Sequence, residues 1–177
     1  SKGFQVVATD PAPDFEKKLR SNIDRAWPKL ERIGLSRNAS RNNLCCTDDI
    51  EKAVESTDFV QESAPDDEAL KIGLITLIDS ACPENVLVAS SSSEFLPSRL
   101  AANCIHPERV IIGHPFVPVY LVPLVEVVGA STTPVEVLDS AMKFYNLIGK
   151  FPVKLKKEIQ HYIANRLQIA MYRESLS

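Results

Sequence analysis

Short β-branched and aliphatic runs alternate along this chain with longer segments whose apolar residues recur every three or four positions. Runs such as Val86-Leu87-Val88-Ala89, Val110-Ile111-Ile112 and Leu124 to Val128 are too apolar for a strand with one wet face. They belong in a sheet covered on both sides, and the helical segments between them supply the cover. The alternation implies α/β architecture with a mainly parallel sheet. Ligands of such sheets sit beyond the carboxyl ends of the strands.

The local signals predict the elements. Phe4 to Thr9 reads as a buried strand ending at Asp10. From Asp14 to about Ile33 runs a helix with Phe15, Leu19, Ile23, Trp27 and Leu30 on one stripe. Pro28 should kink or divide it, and Gly34 is its natural stop. Leu44 to Cys46 is a short strand, after which Thr47-Asp48-Asp49 caps a helix over Ile50 to Val54. Asp58 to Gln61 is a strand leading to Glu62. Asp66 and Asp67 open a helix carrying Leu70, Leu74, Leu77 and Ile78, with acid at the positive end of its dipole. Pro97 to Ala102 is helical, and Phe151 to Leu155 is a strand. Pro134 to Leu147 and Tyr162 to Leu176 are helices, the last with Ile163, Leu167, Ala170 and Met171 on one side.

Composition excludes some functions. The formal net charge is -3 and no basic block stands out, so nucleic acid is not an expected partner. No apolar stretch reaches about 18 residues, so no membrane span is expected. The start has no charged residue followed by a long apolar run, so it is not a signal peptide. A cytoplasmic location follows by default, and the lack of an initiator Met suggests a cut or processed start. The four cysteines (Cys45, Cys46, Cys82, Cys104) read as buried free thiols. With three histidines they form no zinc spacing, and no metal is expected.

Polar residues collect where strands end. Asp10 either serves the turn or accepts the hydroxyls of an adenine ribose, where its charge would favour NAD over NADP. Ser90 to Ser93 is a flexible turn or a set of ligand-binding hydroxyls. His114, held by Pro115 after an apolar strand, is a structural histidine or a base that takes the proton from an alcohol. Glu126 lies among Leu124, Val125, Val127 and Val128, and a buried carboxylate there needs a partner. A histidine is the natural one, oriented and made more basic by the pairing. Asn165 is a solvent residue or a donor to a substrate carbonyl.

Several motifs then fall in series. They are Gln61-Glu62-Ser63-Ala64-Pro65, Ser90 to Ser93 with Leu96-Pro97-Ser98, Gly113-His114-Pro115-Phe116, and Tyr120 to Val128. Gly149-Lys150, Lys157-Glu158 and Ala164-Asn165-Arg166-Leu167-Gln168 follow. In order and spacing they resemble the 3-hydroxyacyl-CoA dehydrogenase family, in its branch of carnitine dehydrogenases and lambda-crystallin-like proteins. The resemblance implies an incomplete Rossmann-like NAD-binding domain over residues 1–157, and the first helix of an otherwise missing C-terminal helical domain over 158–177. It implies His114 as catalytic base, Glu126 as its partner, and Ser93 and Asn165 on the reacting oxygen or the neighbouring carbonyl. It also implies NAD as cofactor, bound by Asp10, Asp66, Lys71 and Ser93. The substrate would be a 3-hydroxyacyl-CoA or a small hydroxy acid, and the assembly a homo- or hetero-dimer.

The sequence also departs from that family. The opening strand with its G-x-G-x-x-G turn is absent from the six glycines here, which removes the usual anchor of the pyrophosphate. Val117 stands where the family usually has Asn, and Gln160-His161 where it usually has Pro-Gly. Three readings follow: a fragment of a dehydrogenase, a shortened homologue that binds a ligand or partner with little activity, or a small enzyme completed by association.

Overall fold

The computed structural model describes residues 1–176. The chain forms two compact units, Ser1–Ser56 and Thr57–Ser177.

The first unit holds two parallel strands, β1 (Val6–Thr9) and β2 (Leu44–Thr47), paired from Val6 opposite Leu44 to Thr9 opposite Thr47. Helix α1 (Phe15–Ile33) connects them, and α2 (Ile50–Val54) follows. Gly34 ends α1 at φ 110, a conformation that suits glycine, and its N–H returns to Leu30 O. Asp49 caps α2 by accepting from the Lys52 amide at 3.1 Å.

Two expectations are corrected in this unit. Phe4 to Thr9 is not a buried strand: the strand begins at Val6, and Val6 and Val7 are each 50% exposed. Among the described residues β1 pairs with β2 alone, so its apolar run is covered only in part. Nor does Pro28 divide α1, which continues to Ile33. Buried Ala26 and the Trp27 ring, with the Arg41 guanidinium 5.7 Å from its centroid, hold the flanking turns. The cysteines are all free, but Cys45 is exposed and only Cys82 is fully buried.

The second unit is built on a five-stranded sheet in sequential order. Its strands are β3 (Phe59–Glu62), β4 (Leu87–Ser90), β5 (Val110–Pro115), β6 (Leu124–Gly129) and β7 (Phe151–Lys154). Every pair is parallel except β5 with β6, which is antiparallel. The mainly parallel sheet read from the sequence is therefore present. Helix α5 (Val135–Leu147) covers one face, packing Ala141 and Tyr145 on Leu87, Ala89, Ile111, Val125 and Val127. Phe59 stacks on Phe144 at 3.8 Å beside them. Helices α3 (Glu68–Ala81) and α4 (Pro97–Leu100) cover the other face.

Side chains alternate across a strand, so this packing assigns every strand residue to a face. Leu87, Ala89, Ile111, Val125 and Val127 meet α5. Their neighbours in the count, namely Glu62, Ser90, Ile112, His114, Glu126 and Val128, therefore share the opposite face. Glu62 pairs with Ser90, Ser90 with Ile112, and His114 with Glu126 across the ladder. Because β6 runs back against β5, the first residues of β6 lie at the carboxyl end of β5. One face and one end of the sheet thus collect Glu62, Ser90, His114 and Glu126.

Helix α3 turns inward a stripe that shares only Ile78 with the one expected. Its buried residues are Lys71, Ile75, Ile78 and Asp79, while Leu70 is 49% exposed. The buried stripe includes two charges, each satisfied in place. Apolarity alone does not reveal that such pairing is available. Asp79 takes the Arg109 guanidinium at 2.8 Å and the Ile105 amide at 2.6 Å. The last helix, α6, spans Ala164–Leu176 and buries none of its residues. Tyr162, expected inside it, precedes it and is fully buried. No helix among the described residues is long and apolar enough to cross a membrane.

The α5 face leaves no room at Gly113. A Cβ there would overlap the Tyr145 hydroxyl and lie 2.6 Å from its Cζ. That hydroxyl is fixed by its bond to Gln61 Oε1 at 2.7 Å. Gly113→Ala is expected to destabilise the fold by about 1–3 kcal/mol, an overpacking penalty read as a lower urea midpoint.

Candidate active site

Four of the sequence-selected residues meet at the carboxyl end of the second unit's sheet. The antiparallel register sets His114 directly opposite Glu126. His114 Nδ1 lies 3.0 Å from Glu126 Oε2, and the two residues are 6% and 3% exposed. A carboxylate only accepts, so Nδ1 is the donor, and in the tautomer this bond sets the lone pair lies on Nε2. The other oxygen of Glu126 accepts the amides of Ile163 at 3.0 Å and Ala164 at 2.9 Å. Burial pushes the Glu126 carboxyl up, but the bonds from His114 and the two amides outweigh it, and the net shift is downward. The carboxylate thus stays charged beside the histidine. The Phe116 and Tyr162 rings lie 4.7 and 5.3 Å from the imidazole and limit its movement.

Ser93 and Asn165 join the same cluster. Asn165, in the first turn of α6, donates to Ser93 O at 3.4 Å. The Ser93 hydroxyl donates to Asp66 Oδ2 at 2.8 Å. Asp66 Oδ1 is 3.7 Å from Lys71 Nζ. Lys71 is completely buried, and its ammonium meets Glu62 Oε1 at 3.0 Å and Ala64 O at 2.8 Å. Glu62 also accepts the Ser90 hydroxyl at 2.5 Å, and Ser92 N donates to Ser90 Oγ at 3.2 Å. The serine run is therefore an ordered turn tied to a buried ion pair. Asp10 stands apart from these residues in sequence, in the first unit, where it follows β1. It is exposed, and its Oδ1 accepts the Ala12 amide at 2.7 Å. Val117 is exposed.

Several contributors had little signal in the sequence. The Glu62–Lys71 pair requires knowing that α3 turns Lys71 inward. The amides of Ile163 and Ala164 are invisible to side-chain reading. Tyr162 has a faint signal as an aromatic next to a polar turn.

A mostly parallel α/β sheet with a buried His–Glu pair and hydroxyl and amide donors at its carboxyl end defines a Rossmann-like domain of the dinucleotide-binding class. Comparison with known proteins agrees. Residues 1–159 match the family described as 3-hydroxyacyl-CoA dehydrogenase, NAD binding domain. The chain belongs to the 3-hydroxyacyl-CoA dehydrogenase family. It is 44% identical over 176 residues to an L-carnitine dehydrogenase of Streptomyces coelicolor, covering 99% of this chain and 55% of that protein. It is 46% identical over 176 residues to one of Burkholderia mallei, with the same coverage of each. Among solved structures it resembles 5-formyl-3-hydroxy-2-methylpyridine 4-carboxylic acid 5-dehydrogenase, an NAD+-dependent dismutase. That match has a TM-score of 0.92 at 30% identity, over 99% of this chain and 57% of the other. The chain spans about half the length of the curated relatives it matches.

Each unit, taken by itself, offers groups whose chemistry suits part of a dinucleotide. Asp10 offers an exposed carboxylate after a parallel strand, suited to ribose hydroxyls. Ser93, Asp66 and Asn165 offer hydroxyl, carboxylate and amide groups beside His114, suited to the nicotinamide end. The six glycines form no G-x-G-x-x-G cluster for the pyrophosphate.

Two outcomes follow. The folded-state Glu126 carboxyl lies below its ordinary 4.5, so as pH falls the unfolded chain takes up that proton first. Its contribution to stability is present above about pH 4.5 and is lost as pH falls through the folded-state value. Unfolding midpoints measured between about pH 6 and 3 should show this loss in the parent and less of it in Glu126→Gln. Separately, Lys71→Met strands the buried Glu62 charge and should cost about 3–5 kcal/mol. Adding Glu62→Gln should recover much of that loss in a double-mutant cycle.

Proposed function

We propose that this chain carries the catalytic part of an NAD-dependent dehydrogenase that oxidises the 3-hydroxyl of a small hydroxy acid or a 3-hydroxyacyl-CoA. The supporting observation is the buried His114–Glu126 bond at 3.0 Å, with the far carboxylate oxygen held by two backbone amides. In this reading His114 Nε2 takes the hydroxyl proton, and Glu126 stabilises the imidazolium that results. Ser93 and Asn165 hold the reacting oxygen or the neighbouring carbonyl. Bound NAD supplies the hydride acceptor. Asp10 binds the adenine ribose hydroxyls, and its charge disfavours a 2′-phosphate. Asp66 lies near the cofactor, and Lys71 acts through it because its ammonium is taken up by Glu62 and Ala64 O.

The L-carnitine dehydrogenases among the relatives support a free hydroxy acid of carnitine type over a CoA thioester.

Calorimetric titration of the whole chain with NADH tests the cofactor first. Saturable binding that weakens in Asp10→Ala supports the reading. No binding up to millimolar NADH, from folded protein, sinks independent dehydrogenase action. Where turnover is found with carnitine or a 3-hydroxyacyl-CoA, His114→Gln should lower kcat by roughly 10²–10⁴-fold with little change in NADH affinity.

A further inference from the structure

The approach to α6 is backbone-strained and buried at once. His161 and Tyr162 have φ 60 and 49, left-handed values unfavourable for any residue with a Cβ. Such strain persists only where its surroundings over-determine it. Here the surroundings are specific. Tyr162 is fully buried, its hydroxyl donates to Phe95 O at 2.6 Å and also meets the Ser92 side chain, and its ring lies 5.3 Å from that of His114. The next two residues, Ile163 and Ala164, turn their amides onto Glu126 Oε1. Helix α6 beyond them buries no side chain that would hold this geometry. Asn165 in its first turn adds a bond to Ser93 O.

We infer that Tyr162 is a positioning residue for the His114–Glu126 pair, its hydroxyl on Phe95 O holding the reversed turn that delivers the Ile163 and Ala164 amides to Glu126. The hydroxyl acts at a distance. It touches neither the imidazole nor the carboxylate, yet it fixes the path of the chain that donates to the carboxylate. Without it, the 161–162 turn can relax out of the left-handed region, and relaxation draws both amides away. Glu126 then loses two of the three donors that keep it charged. The titratable groups acting at this spot are His114 from β5, Glu126 itself from β6, and Asp66 from the segment after β3. This deepens the reading of His114 as a base, but its test needs neither cofactor nor substrate.

The test is a carboxyl ¹³C and imidazole ¹⁵N titration of the whole chain, in the parent, Tyr162→Phe, His161→Gly, and the double variant. Tyr162→Phe should move the Glu126 midpoint up, toward its ordinary value. It should also weaken the Nδ1-protonated signature of His114, while half-buried His106, in the turn before β5, stays unchanged. Glycine at 161 adopts the left-handed turn without strain. In His161→Gly/Tyr162→Phe the Glu126 midpoint should therefore return toward that of the parent. A folded Tyr162→Phe with an unchanged Glu126 midpoint overturns the assignment. So does a double variant displaced as far as Tyr162→Phe alone. Should Tyr162→Phe fail to fold, the double variant compared with His161→Gly decides. If neither folds, the hydroxyl is a general determinant of the fold and the positioning role is lost. Because all readouts come from the free protein, a chain with no dehydrogenase activity can still pass, and an active one can still fail.

Discussion

A carboxylate enclosed in an apolar sheet keeps its charge only if donors surround it, and the second unit is arranged around that requirement at Glu126. One oxygen is met by His114 across an antiparallel ladder, the other by two amides from the chain entering α6. These three donors come from β5 and from a segment nearly forty residues beyond Glu126. Satisfying one charge therefore fixes the direction of β6, the placement of the histidine and the docking of the final helix. The reversal between β5 and β6 follows the same logic. A parallel β6 over the same span would set Glu126 opposite Ile112 in place of His114.

A second enclosed charge organises the neighbouring strand ends. Glu62, one strand beyond Ser90, gathers Lys71, the Ser90 hydroxyl and the Ala64 amide. Buried ion pairs contribute little net stability compared with apolar residues of the same shape, but they punish misplacement severely. That asymmetry suits a site in which Ser93 and Asp66 must be held to one geometry. The apolar cluster against α5 carries the stability, while the opposite face carries the polar geometry. The division is visible in β5, where Ile111 is core and His114 is site.

Much of this was legible from residues. β-branched runs marked the strands, Asp49 and Asp67 capped the helices that their positions announced, and Gly34 closed α1. His114 and Glu126 could be paired on chemical grounds because a glutamate among valines demands a partner. What could not be read was any feature set by long-range geometry. The sense of β6 depends on a loop whose residues do not encode direction. The inward turn of Lys71 depends on a glutamate from another strand, so a helix judged by its leucines is rotated wrongly. The exposure of Val6 and Val7 depends on how many strands flank β1, a property of the sheet and not of the run. The amide donors at 163 and 164 carry no residue-specific signal at all.

The parity of the strand positions has a consequence for how such a chain tolerates changes in length. His114 faces Glu126 because it stands an even number of residues from Val110 and Ile112, on the face away from α5. Inserting or deleting one residue before it within β5 would turn its ring toward Tyr145 and bring Gly113 or Pro115 opposite the glutamate. The loop from 116 to 123 is under no such counting rule, provided that both strand registers survive. Length variation in descendants of this chain should therefore accumulate in the loop that joins the pair and be purged from the strand that presents it.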